Sequence, residues 1–186
     1  MALLNITNEI NSTPEQISGG QRQRVIIAKA LVKNPTLILL DEPFSHIDNF
    51  KKQTLRRNVF DYLKTNNIAC VLATHDKEDV LSFADQMMVL HNGTILVTDH
   101  PSSIYSNPQH PLVAAFFSEY SQINGSFYYA HQISIVEEST LKAVVKRNFY
   151  KGDSFLITAD LNGTNVCFVN ASALKENTVV SLRLGR

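Results

Sequence analysis

Long hydrophobic runs are missing from this sequence. Its apolar runs, such as residues 25–28 and 37–40, fall far short of the roughly 18–20 apolar residues of a bilayer-crossing helix, so no helical span is expected. Cysteine is scarce as well. Cys70 and Cys167 sit far apart in apolar, β-branched stretches without a CxxC or Cys/His pattern, and both read as buried reduced thiols. Neither sign of charge is in surplus, with 17 Lys plus Arg against 17 Asp plus Glu. That balance argues against a strongly basic nucleic-acid grip or a polybasic membrane anchor. Glycine and proline are few, 7 and 6, which excludes collagen-like or low-complexity chains. The opening MALLNITNEI lacks the basic and apolar regions of a secretory signal, and the expectation is a cytoplasmic chain. What is present is 44% hydrophobic residues in a 186-residue chain, enough to build a core.

From residue 36 onward the segments alternate strand and helix. Residues 36–41, TLILLD, form a continuous apolar run that predicts a strand buried on both faces of a parallel sheet. Residues 49–66 predict an amphipathic helix, with Leu55, Val59, Phe60 and Leu63 on one face and Lys51, Lys52, Arg56 and Arg57 mostly elsewhere. Residues 68–74 predict a second buried strand and 77–84 a short helix. Asn92-Gly93 then marks a type I′ hairpin between strands at 87–90 and 95–97. Strands joined by crossover helices imply an α/β layer fold.

Near residues 120–126 the pattern changes through a polar stretch ending in Asn124, Gly125 and Ser126, which reads as a linker. Five strand candidates follow, at 127–135, 141–150, 154–160, 165–170 and 179–184, with a hairpin at Asn162-Gly163. A small barrel or sandwich is expected there. The expected domains are therefore 1–122 and 123–186.

The densest chemistry lies in PEQISGGQRQRVIIAKALVKNPTLILLDEP, residues 14–43. Ser18, Gly19, Gly20 and Gln21 stand at the start of an apolar helical run, where unpaired backbone N–H groups and the helix dipole favour an anion. The glycines lack the Cβ atoms that would hold a phosphate away. Ser18 and Gln21 also have capping-box spacing, which by itself accounts for the pair without any ligand. Asp41 and Glu42 emerge from the C-terminal end of an apolar strand, where ligands of open α/β sheets bind. One carboxylate can serve Mg²⁺ and the other can accept a proton from an attacking water. The plain alternative is that the two cap a turn.

In combination these pieces resemble the ATP-binding subunit of ABC transporters. ISGGQRQRV is similar to the family's signature loop, LILLDEP to its Walker B strand, Ser45 to Asp48 (SHID) to its D-loop and Thr74-His75-Asp76 to its switch-histidine loop. The similarity continues through HNGTILVTDHPSSIY. The resemblance implies a partial P-loop NTPase α/β sheet with crossover helices, followed by a small all-β accessory domain, barrel-like and similar to TOBE and OB folds. It implies that Ser18, Gly20 and Gln21, with Gly19 beside them, contact the γ-phosphate of ATP held by an opposite subunit. Asp41 would serve Mg²⁺, Glu42 would be the general base, and His75 would hold the attacking water in line. Asp48 would couple the two sites of a dimer. The implied partners are a second ATPase subunit and membrane permease subunits, at the inner face of the plasma membrane.

Two departures bear on that picture. His46 and Ile47 replace the usual middle pair of the D-loop. A P-loop, GxxxxGK[ST], is absent, because no two glycines have that spacing and none precedes a lysine. The chain is therefore expected to be the C-terminal part of an importer ATPase, from a truncated frame or a split subunit, with very weak ATP binding by itself. The tail favours the iron or polyamine branch of importers.

Two other classes stay open. A DNA-associated ATPase shares a signature helix and a Walker B strand, although a coiled coil is missing. A non-catalytic binding module could rest on the β tail, but the tail has only a slight basic excess, and its aromatics Phe127, Tyr128, Tyr129, Phe149 and Tyr150 read as core. His91, His100, His110 and His131 lack metal-ligand spacing and read as surface loop residues.

Overall fold

A computed structural model describes residues 4, 6, 7 and 11–185, with only the backbone described at residues 49 and 50. Most of the opening ten residues, read above for a signal, thus lie outside the described residues. The chain divides by packing into two compact units, residues 1–84 and 85–186. This division falls N-terminal to the change of sequence pattern near residue 122.

In the first unit, α1 (Gly19–Leu31) leads to β1 (Leu37–Asp41), α2 (Asn49–Thr65), β2 (Ala69–Ala73) and α3 (Lys77–Phe83). The strands β1 and β2 pair in parallel, in the register Leu37↔Ala69, Leu39↔Val71 and Asp41↔Ala73. A parallel pair requires a crossover, and α2 supplies it. Ile27 and Leu31 of α1, Ile38 and Leu40 of β1, and Leu55, Val59 and Leu63 of α2 form one buried cluster. Each such side chain contributes about 1.5–3 kcal/mol by leaving water.

The expectation of a strand buried on both faces fails here. Leu37, Leu39 and Val71 are 51%, 71% and 59% exposed, so the side of the sheet away from the cluster is open. Among the described residues the sheet has two strands, and the helices that bury β1 do so on the Ile38–Leu40 side. A second correction falls on α2. Arg56, expected off the apolar face, is 2% exposed. Its position four residues after Lys52 and three before Val59 carries it round to the buried stripe. Cys70 is half-buried rather than buried, while Cys167 is buried. Burial pushes both thiols up from their ordinary pKa.

The second unit begins with the hairpin β3 (Met87–His91) and β4 (Thr94–Asp99), turned by Asn92 and Gly93 at positive φ as the I′ turn demands. Two short helices follow, α4 (Pro101–Ser106) and α5 (Pro111–Phe117). Each has proline in its first turn and a histidine cap. His100 Nδ1 accepts from Ser102 N–H at 3.3 Å and His110 Nδ1 from Leu112 N–H at 3.1 Å. These histidines are helix caps, not loop ornaments.

The expected linker is a hairpin. Asn124 and Gly125, at φ 50° and 81°, join β5 (Tyr120–Ile123) to β6 (Ser126–Tyr129). The expected strand at 127–135 is split by a 3-10 turn, Ala130–Gln132, before β7 (Ile133–Val136). Then come β8 (Leu141–Tyr150), β9 (Phe155–Leu161), β10 (Thr164–Asn170) and β11 (Val179–Leu184). The last five strands make an antiparallel sheet in the order β10-β9-β8-β11-β7. Its end strands β10 and β7 also touch, so the sheet curls around Val145, Ile157, Phe168 and Leu182. Of the aromatics expected in the core, Tyr129 is buried, whereas Phe149 and Tyr150 are exposed.

Candidate functional site

The C-terminal ends of β1 and β2 lie side by side, and the residues that leave them form the site. Glu42 follows β1 and His75 follows β2 by two residues. The Glu42 carboxylate oxygen Oε1 accepts the His75 backbone N–H at 2.9 Å and stands 2.5 Å from His75 Nδ1. Glu42 N–H donates to Ala73 O at 2.9 Å, which extends the parallel ladder one step past the strand. The His75 side chain is 79% exposed, so this pair faces water. A carboxylate and an imidazole so joined can take a proton from a bound water and orient it.

Glu42 has φ 45°. Every other non-glycine residue at positive φ among the described residues is an asparagine, the side chain that tolerates this region best. For glutamate the conformation costs about 1 kcal/mol or more. The cost is held by a set of bonds to the Glu42 carbonyl. Gln23 of α1 donates Nε2–H to it at 2.9 Å and the Ser45 hydroxyl donates at 2.9 Å. His46 Nδ1 in turn stands 3.2 Å from Gln23 Oε1 and 3.0 Å from Ser45 Oγ. Gln23 therefore ties α1 to the Glu42 turn. Sequence reasoning missed it, and its one signal was a polar residue within the helix that follows the glycines.

Ser18 caps α1. Its Oγ accepts from Gln21 N–H at 3.3 Å, and its own N–H donates to Gln21 Oε1 at 2.7 Å. The capping box weighed against a phosphate role is thus formed. The serine proton is not used by that bond, because the hydroxyl accepts in it. Gly20 has a packing reason for lacking a side chain. A Cβ there would meet the His46 carbonyl oxygen at 2.7 Å, while Gly19 has room. Asp48 stands at the N-cap of α2 without a side-chain cap bond.

Asp41 ends β1 on the same open face as Leu37 and Leu39, exposed and with no side-chain hydrogen bond or ion pair among the described residues. No group of three His, Cys, Asp or Glu that could cage a metal occurs among the described residues. One hard, accessible carboxylate is the donor set for an Mg²⁺ that brings waters and phosphate oxygens with it. The residues fit that ion and not a resident all-protein cage.

Behind His75 lies a partly buried ion cluster, in which Arg56 and Asp79 are buried and Lys52 and Asp76 half-buried. Lys52 Nζ reaches Asp76 Oδ2 at 2.7 Å, and Arg56 Nη2 pairs with the same oxygen. Arg56 Nε stands 2.5 Å from Asp79 Oδ1, an ion pair outside hydrogen-bond geometry. Burial opposes ionisation of Asp76, but hydrogen bonds from Lys52, Arg56 and the Glu78 N–H prevail and hold its carboxyl down at about 2. Asp79, in contrast, is pushed up, because burial outweighs the Thr74 hydroxyl and Arg56.

Comparison with known proteins follows the same residues. The family pattern "ABC transporter" matches residues 1–45. Over 119 residues the chain is 40% identical to the Fe(3+) ions import ATP-binding protein FbpC of Haemophilus influenzae, covering 64% of this chain and 34% of that protein. Over 169 residues it is 29% identical to the spermidine/putrescine import ATP-binding protein PotA of Mycoplasma genitalium, covering 88% of this chain and 30% of that one. A solved inward-facing conformation of an ABC transporter is 27% identical with a TM-score of 0.54, over 68% of this chain and 51% of its own. The chain spans about a third of the length of the curated relatives it matches. By these matches the chain is similar to ATP-binding proteins of the ABC transporter family, importers of iron and of polyamines among them.

Proposed function

We propose that this chain supplies the hydrolytic and signature portions of the ATP-binding subunit of an ABC importer, energising uptake of a solute of the iron or polyamine kind. The observation that carries the reading is the Glu42–His75 pair, set where two parallel strands end. Glu42 acts as general base and His75 orients water and the γ-phosphate. Asp41 holds Mg²⁺, which neutralises phosphate charge when bound. Ser18, Gly19, Gly20 and Gln21 present the start of α1 to the γ-phosphate of ATP on an opposite subunit, and Asp48 couples the paired sites. Residues 1–122 do the ATPase work, and residues 123–186 form an accessory, regulatory β domain.

Triphosphate grip comes from elsewhere, since these 186 residues contain no P-loop. The apolar face of Leu37, Leu39 and Val71 runs directly to Asp41. A strand paired in parallel beside β1 or β2, followed by a P-loop and a helix that covers this face, would bring its glycine loop to the same end of the sheet, because parallel strands all end there. Such a segment, a second ATPase subunit and permease subunits at the inner membrane face are the partners of this reading.

Calorimetric titration with MgATP tests it. Roughly millimolar affinity or weaker is expected for the chain by itself, and micromolar affinity contradicts the reading. Adding a separately expressed segment that carries a P-loop should enable hydrolysis, which Glu42→Gln then lowers by about 10²–10⁴-fold. Hydrolysis indifferent to Glu42→Gln would remove Glu42 from the role.

A further inference from the structure

Arg56 is the largest fully buried side chain among the described residues, and it touches both loops that carry the candidate pair. Its guanidinium carbon lies 5.8 Å from the centroid of the Phe44 ring, two residues after Glu42. Its nitrogens pair with Asp76 and Asp79, one and four residues after His75. Asp76 caps α3 by accepting from Glu78 N–H at 3.0 Å. Asp79 accepts from the Thr74 hydroxyl at 2.7 Å, and that hydroxyl accepts from Asp76 N–H at 3.0 Å. The residues on either side of His75 are thus locked from below, while its own ring is exposed and is held by Glu42.

Burying a guanidinium with two carboxylates is seldom the stable choice, since apolar residues of similar volume do as well or better. A network with that cost is better explained by what it orients. The same helix starts at the Asp48 cap and carries Lys52 one turn on and Arg56 a second turn on. α2 therefore reaches the Asp48 turn, Phe44 and the His75 loop with one rigid element.

We propose that Arg56, assisted by Lys52, is a positioning residue: a clasp on α2 that fixes the His75 loop against the Glu42 turn and ties their separation to the placement of the Asp48 turn. The role of the pair in hydrolysis rests on the proposed function, but the clasp itself does not need nucleotide.

Amide hydrogen exchange by NMR on the 186-residue chain tests this without ATP or a partner, so its failure is separate from failure of the ATPase reading. In Arg56→Met the amides of His75, Asp76 and Glu78 should exchange about tenfold or more faster, relative to the β1–β2 amides of Leu40 and Leu72. The ¹⁵N signal of His75 Nδ1 should move toward that of an imidazole without a carboxylate partner. Arg56→Lys, which keeps the charge but not the fork, should restore part of both effects. If Arg56→Met does not fold, Asp76→Asn and Lys52→Met decide, with the same local acceleration about two- to fivefold. Unchanged exchange and an unchanged His75 ¹⁵N signal in folded variants would overturn the clasp. So would an increase spread evenly over β1 and β2, the mark of a residue that only stabilises.

Discussion

Two sheets in this chain answer the same problem differently. The five-stranded sheet of the second unit curls until its end strands meet, and β9 and β10 bury residues on both faces. The two-stranded sheet of the first unit buries Ile38 and Leu40 but leaves Leu37, Leu39 and Val71 to water. Antiparallel strands close through local hairpins, each strand finding its partner a few residues away. A parallel sheet grows by crossovers, and its faces are covered by elements distant in sequence. The contrast teaches that the β unit closes its core with its own strands, whereas the sheet that leads to Asp41 and Glu42 leaves one apolar face open among the described residues.

The sharpest way to break this comparison is in the closed sheet. Phe168→Ala removes a fully buried ring and should cost about 3–5 kcal/mol, read as lost exchange protection over β8 to β11. Retention of that protection would show that the second unit is not held by its core. Gly20→Ala comes next. Its Cβ would press on the His46 carbonyl. Overpacking costs about 1–3 kcal/mol, and the helix propensity of alanine returns up to about 1, so a net loss centred on residues 45–48 is expected. A stabilised variant would show that the turn yields.

Acid gives a smaller, signed effect confined to the first unit. The Asp76 carboxyl is at about 2 in the folded chain against an ordinary 3.8, so the unfolded chain binds more protons between those values. Its contribution is complete above about pH 4 and is lost as pH falls through about 2, a change of about 1 kcal/mol after solvent screening. Asp79 runs the other way, because its raised pKa makes its charged form the costly one. Urea melts should show the loss in the parent chain and not in Asp76→Asn. The smallest effect is at the open face. Leu39→Thr should change stability by less than about 0.5 kcal/mol and reduce binding of a hydrophobic dye. A loss of 2 kcal/mol or more would mean the face is covered after all.

The legibility of the site was uneven for physical reasons. Element types followed from local pattern: β1, α2, β2, α3 and the Asn-Gly hairpins obey periodicity and turn chemistry that act within a few residues. Asn124-Gly125 carries the same signal and forms the same turn, but the polar residues around it masked the strands. Glu42 was named from its place at the end of an apolar strand and His75 from motif resemblance, and only the register of β1 on β2 set them together. Gln23 and Arg56 have no local mark. An arginine on an amphipathic helix reads as solvated until Asp76 and Asp79, brought by another strand, supply its counter-charges.

By itself the sequence determined the type of β1, α2, β2 and α3, the Asn-Gly turns, the absence of a P-loop from these residues and the presence of stretches that resemble a signature loop and a Walker B strand, because each of these is a local matter of residue type and spacing. Only the tertiary structure decided that Arg56 is buried, that Glu42 takes a left-handed turn against His75, and that one face of the parallel sheet stands open. Those outcomes depend on contacts between residues up to 33 positions apart, and no local pattern fixes the energy of a contact whose partner lies that far away.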